Sequence, residues 1–261
     1  MRGNDTDDDW RRLGELDPYW AVDTHDRFRR ENLDDARRAE FFDRGRHHLD
    51  AVLDLARKHL DPSFRPTRAL DFGCGVGRVI VPLARLADHV TGVDVSEPML
   101  REAAANCERE GLSNVDLVRG DDTLAAVRGS FDLVHSFIVF QHIPPARGEA
   151  LLARLLEVLA PGGVGALHFT YAKDTSPARH RGRRIIGALG LGGPLRALRE
   201  AFVRREGARL MQMNEHDLGT IVASLQRAGA RSLHVELSDH AHFFGAMILF
   251  RREPARAPYL F

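Results

Sequence analysis

Three features of the 261-residue chain predict an α/β fold: a doubly wound, mostly parallel seven-stranded sheet closed by an antiparallel hairpin. Apolar and amphipathic runs alternate from residue 67 to about residue 171, which implies right-handed crossovers and a sheet covered on both faces. The strand-like runs are almost continuously apolar, as burial on both faces requires. The last two strand-like runs, "ARSLHVEL" and "FFGAMILFRR", are joined only by "SDHAH". That connection is too short for a crossover, so these two strands pair antiparallel.

The elements follow in order. Residues 1–16 are acidic and poor in apolar residues, a composition that predicts disorder. Residues 17–66 form a helical cap. It opens with the aromatic segment "DPYWAVDTHDRFR" and continues in a helix over 34–60, in which Ala39, Phe42, Leu49, Val52, Leu53, Leu55 and Ala56 recur at roughly helical spacing. Asp61-Pro62 ends it. The core, 67–261, begins with the strand "RALDFG" and a helix over about 77–87. The strand "HVTGVD" follows, then a helix from an N-cap at Ser96, with Glu97 and Pro98 in its first turn, to about Gly111. "VDLVRG" and "FDLVHSF" are the third and fourth strands. A helix over about 146–160 buries Leu151, Leu152, Leu155, Leu156 and Leu159, and "PGG" stops it before the fifth strand, "VGALHFTY". Residues 172–213 break the rhythm as a basic helical insertion, expected to be a lid. A helix over 214–228 precedes the hairpin.

Composition narrows the function. Equal numbers of acidic and basic residues, 37 each, leave no global field that draws the chain to nucleic acid or membrane. The two cysteines, Cys74 and Cys107, form no C-x-x-C pair, so neither a disulfide framework nor a cysteine zinc site is expected. The thirteen histidines include His47-His48 and His240-x-His242, spacings that match no recognised metal motif, and no metal is assigned. "MRGNDTDDDW" does not read as a signal peptide, and no apolar run approaches a membrane span. A cytoplasmic location is the expectation.

The chemistry starts at "RALDFGCGVGRV". Gly73, Gly75 and Gly77 follow an acid, Asp71, at the end of the first strand. A dinucleotide fingerprint, G-x-G-x-x-G, would need glycine where Arg78 stands, and a Walker phosphate loop is absent. Asp71 would oppose a pyrophosphate and suits a ligand with a cationic end. S-adenosylmethionine has such an end, a sulfonium and an ammonium, and glycines permit close approach of backbone to its adenosine. Asp94, ending the second strand, suits both ribose hydroxyls. The acids of "RGDD", Asp121 and Asp122, suit the adenine amine. All lie at strand carboxyl ends, where ligands bind in open α/β sheets.

"ALDFGCGVGR", "VTGVDVSEPML", "VRGDD", "FDLVHSFIVFQHI" and "LLEVLAPGGVGALHF" together resemble successive motifs of the class I S-adenosylmethionine-dependent methyltransferases, small-molecule branch. The likeness covers residues 67–171 densely and implies a Rossmann-like sheet. It implies that Asp71, Gly73, Gly75 and Gly77, with Cys74 and Arg78 in the same turn, surround the methionine part of the cofactor. Asp94 would hold the ribose, Val95 and Met99 flank the adenine, and Asp121 or Asp122 face its amine. Ser136 and Phe137 would run along the other side. For Met99 and Phe137 plain core packing is an equal alternative.

Methyl transfer needs alignment, plus a base when the acceptor is a hydroxyl. Candidate bases are His142, after the fourth strand, and His240 and His242 in the hairpin turn. His142 also suits a purely structural role, His168 suits a buried core role, and His25 suits a lid. Tyr19 and Trp20 suit stacking on the cofactor or acceptor and, equally, packing on the sheet edge. Between Tyr171 and Met213 there are ten Lys/Arg and three Asp/Glu. That excess suits a small anionic acceptor, a peripheral membrane contact through 183–205, or simply a solvated lid face. A nucleic-acid acceptor is disfavoured, because "IPPA" (Ile143–Ala146) lacks the polar and aromatic residues that flank the prolines in amino methyltransferases acting on DNA. A module that binds S-adenosylmethionine without transferring methyl is the remaining alternative. O- against N-selectivity and oligomeric state have no signature in the chain.

Overall fold

Seven strands form one sheet: β1 (Arg68–Phe72), β2 (His89–Asp94), β3 (Val115–Arg119), β4 (Phe131–Ser136), β5 (Leu159–Lys173), β6 (Ala230–His240) and β7 (Phe243–Arg252), in the spatial order β3-β2-β1-β4-β5-β7-β6. The computed structural model describes residues 6–174, 211–240 and 242–253. β1 to β5 pair in parallel, and β7 pairs antiparallel with both β5 and β6. From β1 the chain winds outward to β2 and β3, then returns to the other side of β1 as β4. That reversal opens a crevice at the carboxyl ends of β1 and β4.

Alternation along the strands sorts side chains between two cores. Leu70, Val134 and Leu167 face the α6 (Pro145–Val158) and α7 (Leu218–Arg227) side, with Phe140, Leu151, Leu155 and Ile221. Ala69, Leu133 and Ala166 face the side of α3 (Asp35–His59) and α4 (Ile80–Ala84), with Leu49, Leu53, Ile80 and Leu83. Asp34 caps α3, its side chain accepting from the Arg37 backbone N–H at 2.8 Å. Asp217 does the same for α7 with Thr220 N at 2.6 Å. Each cap is worth about 1 kcal/mol.

Several elements depart from the sequence reading. Residues 6–16 are not disordered: they form α1 (Thr6–Leu16). Leu13 and Gly14 are buried, and Gly14 fits so closely over α5 (Glu97–Arg109) that a Cβ there would lie 2.7 Å from Ser96 Oγ and 3.1 Å from Pro98 Cβ. Asp7, Asp8 and Asp9 occupy its first turn, where negative charge favours a helix. Acidity was therefore compatible with order once a partner surface existed. The helix after the glycine turn is short, Ile80–Ala84, because Gly77 at φ 85° keeps the preceding residues in turns. Ser96 stands at the N-cap of α5 but makes no side-chain cap; its Oγ donates instead to the Trp10 carbonyl at 3.1 Å. "PGG" does not end a helix before a separate strand. It sits within β5 as an irregularity, between the Phe131–Leu159 and Leu133–Val164 pairs, with Gly162 at φ 82°. β6 runs on through Ser238, Asp239 and His240, so the hairpin turn is tighter than expected.

A third apolar cluster ties the N-terminal cap to the sheet. Leu13, Tyr19, Trp20, Phe28 and Phe41 pack with Val76 and Met99. Tyr19 Oη donates to Asn106 Oδ1 at 2.8 Å, and Arg29 stacks over Trp20 at 4.2 Å from the ring centroid. Tyr19 and Trp20 therefore pack; neither lines the crevice described below. Most of the basic insertion, including 183–205, lies outside the described residues. Among the described residues, no helix is long and apolar enough to cross a membrane. None of the side-chain groups among them is arranged to hold a metal ion.

Candidate active site

The crevice at the ends of β1 and β4 is a cavity, as expected of a ligand site at the switch point of an open α/β sheet. Its floor is the glycine turn. Gly73 N and Cys74 N both donate to the Val93 carbonyl, at 2.7 and 3.0 Å. Gly75 N donates to Asp94 Oδ2 at 2.9 Å, and Ser96 N donates to Asp94 Oδ1 at 2.8 Å. Asp94 is thus fixed by one backbone N–H on each oxygen, with lone pairs left over for a ligand. Burial pushes its carboxyl up to about 6, against the lowering effect of those two N–H bonds.

Gly73 at φ 73° and Gly75 at φ 54° hold a conformation that costs other residues about 1–2 kcal/mol. A Cβ on Gly75 would also lie 2.7 Å from Val22 Cγ2. The glycines are needed both for the backbone and for the close approach of the cap.

Of the residues expected to hold a cofactor, Gly73, Gly75, Arg78, Asp94, Val95, Met99, Asp121 and Phe137 line the cavity. The two acids of "RGDD" separate. Asp121 lines the cavity, its Oδ1 accepting from Thr123 N and Thr123 Oγ1 at 2.8 and 2.7 Å, which lowers its carboxyl pKa. Asp122 is turned to Arg147 at 2.6 Å and is not in the wall. Cys74, Gly77, Ser136 and Asp71 are also off the wall. Cys74 points into the α3–α4 core, where burial raises its thiol pKa. Gly77 faces Ala103. Ser136 is buried and donates to the Phe72 carbonyl at 2.9 Å. Asp71 lies on the α3 side of β1 and accepts from His135 Nδ1 at 2.7 Å, so it does not present its carboxylate directly to a ligand in the cavity.

Among the candidate bases, His142 lines the cavity. Its Nδ1–H donates to the Gln212 carbonyl at 2.8 Å, and its Nε2 accepts from the Gln141 amide at 3.1 Å. Thr170 Oγ1 in turn donates to Gln141 Oε1 at 2.9 Å. Burial, opposed by the bond to Gln212, brings the imidazole down to about 4. His142 is neutral, with both nitrogens engaged, which is the geometry of a structural residue. His242 does not reach the cavity, because β7 and β6 lie beyond β4 and β5 from β1. The side chain of His240 lies outside the described residues. His25 pairs with Asp23 rather than lining the cavity.

Sequence reasoning missed the roof. Thr6, Asp7 and Trp10 of α1 line the cavity, and Trp10 packs edge-on to His142 with ring centroids 4.9 Å apart. Arg147 latches this helix. Its Nη1 and Nη2 donate to the two oxygens of Asp7 at 2.7 and 2.9 Å, while its Nε holds Asp122. The three residues are distant in sequence, and nothing local marked them. Arg147→Ala should unlatch α1 and weaken binding of S-adenosylhomocysteine about 5- to 30-fold, in line with about 1–2 kcal/mol for a bidentate charge-assisted pair at partial exposure. The change should appear mainly as a faster off-rate in stopped-flow measurements.

Residues 69–163 match a family model described as a methyltransferase domain. A ubiquinone biosynthesis O-methyltransferase of Maricaulis maris is 34% identical over 117 residues, 44% of this chain and 45% of that protein. A 23S rRNA (uracil(1939)-C(5))-methyltransferase RlmD of Burkholderia cenocepacia is 34% identical over 130 residues, 46% of this chain and 26% of that protein. The chain thus matches less than half the length of these relatives. In fold it is similar to the magnesium protoporphyrin IX methyltransferase ChlM of Synechocystis, solved with S-adenosylmethionine, at TM-score 0.59 and 18% identity over 97% of this chain and all of that one. It is similar also to the N-methyltransferase NodS of Bradyrhizobium japonicum, solved with S-adenosylhomocysteine, at TM-score 0.58 and 17% identity over 95% and 99%. Residues 69–163 thus match a methyltransferase domain, and the sheet that holds them has the fold of these solved methyltransferases.

Proposed function

We propose that this chain transfers a methyl group from S-adenosylmethionine to a small-molecule acceptor, through an oxygen or nitrogen nucleophile. The observation that carries the reading is Asp94. It is anchored by Gly75 N and Ser96 N at the floor of the cavity, beside a glycine turn that a single Cβ would obstruct. A fixed carboxylate with spare lone pairs suits a ribose diol, and Met99 and Val95 supply apolar walls for a base. When bound, the cofactor supplies a methyl group on a sulfonium, already a good leaving group.

The chain's own residues then bind, orient and exclude water. α1 closes the roof, and Phe137, Ile138 and Val139 form the wall at the end of β4. Ile138 holds φ 59°, a strained value for a β-branched side chain, and such strain concentrates at working sites. A hydroxyl acceptor agrees with one of the relatives, an O-methyltransferase of ubiquinone biosynthesis.

Calorimetry with S-adenosylhomocysteine against NAD tests the donor. A screen over phenols, amines, sugars and acidic metabolites, scored for transferred labelled methyl, tests the activity. Binding without any labelled product would favour a pure binding module, and preference for NAD would end the reading.

A further inference from the structure

β6 is the last strand of the sheet, and among the described residues it pairs on one side alone, with β7. Its other edge is long and regular. The irregularity in its pairing with β7 lies between Ala230 and Ser232, and from Ser232 to His240 the register is unbroken. Sheet edges are as a rule guarded by proline, lysine or a bulge. Residues 230–240 contain no proline and no lysine. Two apolar side chains stand in solvent instead: Val235 is 42% exposed and Leu237 is 70% exposed.

The residues along this edge are symmetric about Val235. Going outward from it, His234 is matched by Glu236, Leu233 by Leu237, Ser232 by Ser238 and Arg231 by Asp239. Apolar and hydroxyl positions are matched by like residues, and charged or titratable ones by opposites. In an antiparallel pair of identical strands related by a two-fold axis, residues equally far from the centre stand opposite each other. A pair centred on Val235 therefore sets Val235 against its copy, Leu233 against Leu237, His234 against Glu236 and Arg231 against Asp239. Other centres fail. One at Glu236 sets two carboxylates against each other and Leu233 against Asp239, and one at His234 sets Arg231 against Leu237. Like charges directly opposite are unfavourable. The symmetry has this meaning because the fold places the strand at the edge, since a central strand has both sides taken.

Alternation sorts these pairs between the two faces of the sheet. On the α7 side, Leu233 packs against the core under α6 and α7, and Val235 and Leu237 continue its row. Two such rows make a stripe of six apolar side chains, closed at each end by an Arg231–Asp239 pair. On the α3 side, His59 stacks on His234 with centroids 3.7 Å apart and planes within 8°. Ser238 is 2.9 Å from His168 Nε2 of β5, and Glu236 Oε1 is 2.7 Å from His234 Nε2 of the same chain. The polar row is thus held in place before any partner arrives.

We infer that this chain forms a two-fold dimer through β6, in which two seven-stranded sheets join into one across an antiparallel pair centred on Val235. β7 runs against both β5 and β6, so β6 shares the direction of the parallel strands. The two cavities then open at opposite ends of the joined sheet, and each copy keeps its own. The proposal is independent of the methyltransferase reading. A contact built on one strand from each copy is smaller than a standard interface of about 1,600 Å², so the dimer should dissociate in the micromolar range.

Sedimentation equilibrium of the full chain should show reversible monomer and dimer. Leu237→Lys should weaken the dimer about 10-fold or more, because each lost pair occurs twice. Its Tm, measured at a dilution that leaves only monomer, should be unchanged, as for other exposed positions. Arg231→Asp alone and Asp239→Arg alone should each weaken the dimer about fivefold or more. An equal mixture of these two variants should associate again, because each then meets its complement, which a folding defect would not produce. Val235→Cys should cross-link to its copy through a short bismaleimide. Arg231→Cys should not, since its two copies lie about 26 Å apart in this register. The native Cys74 and Cys107 are buried. A chain that stays monomeric at its highest soluble concentration, a dimer that Leu237→Lys leaves intact, or mixed charge variants that associate no better than either alone would each overturn the proposal. So would slow hydrogen exchange of the outward β6 amides in the monomer, which would mean that the chain's own residues cover this edge.

Discussion

Asp94→Ala should abolish most of the cofactor affinity while leaving the fold in place. The carboxylate is placed to accept from two hydroxyls, and a hydrogen bond to a charged group contributes about 1.5–3 kcal/mol. The expected loss is about 2–4 kcal/mol after partial compensation by water, or about 30- to 1000-fold in Kd for S-adenosylhomocysteine by calorimetry. Gly75 N and Ser96 N lose their acceptor in this variant, so the glycine turn should loosen too. Asp94→Asn keeps an acceptor oxygen and should lose less. Wild-type affinity in Asp94→Ala would remove the observation on which the function rests.

The same residue sets a pH dependence with two opposite signs. Its carboxyl is held up to about 6 by burial, from an ordinary 3.8. Below pH about 6 the group takes a proton and no longer accepts from both hydroxyls, so affinity should fall as pH drops through that value. Stability of the unliganded protein moves the other way. A carboxyl whose folded pKa lies above its unfolded one binds more protons when folded, so this group favours the fold increasingly as pH falls from about 6 towards 3.8. Urea titrations of the unaltered protein against Asp94→Asn, with and without S-adenosylhomocysteine, isolate both effects.

How much of this was legible in the sequence depends on the range of each interaction. β1, β2 and the glycine turn were readable because their signal is local: an apolar run, an acid, and glycines at positions with positive φ. Asp94 was readable because it ends a strand. The place of Asp71 at a strand end is local and readable, whereas its partner His135 is 64 residues away and strand pairing alone brings them together. Likewise the acids that dominate the composition of α1 read as disorder, whereas its burial comes from Gly14 and Leu13, with Gly14 meeting α5, a tertiary contact with no local mark. Asp122 and Arg147 were invisible as a latch for the same reason. Ser136 and Cys74 lie beside residues that do line the cavity, and their side chains point away from it, into the core or to a strand carbonyl.

Gly73→Ala should be the most damaging single methyl group that can be added to the site. Two independent costs meet there. At φ 73° an alanine loses about 1–2 kcal/mol to its own backbone. Its Cβ would also lie 2.3 and 2.6 Å from the two methyls of Val139, and overpacking of that kind costs about 1–3 kcal/mol. Val139 has little room to yield, because it follows the strained Ile138 and forms the cavity wall. The sum, about 2–5 kcal/mol, corresponds to a fall in Tm of about 5–15 °C for a domain of this size, with cofactor affinity falling as Val139 is driven into the cavity. The two costs separate in a double-mutant cycle. Val139→Ala removes the methyls but not the backbone strain, so Gly73→Ala combined with Val139→Ala should recover the packing share and retain a deficit of about 1–2 kcal/mol. Full recovery would mean that the turn tolerates alanine at this φ. No recovery would mean that backbone strain alone requires glycine at position 73, and that Val139 is free to move aside.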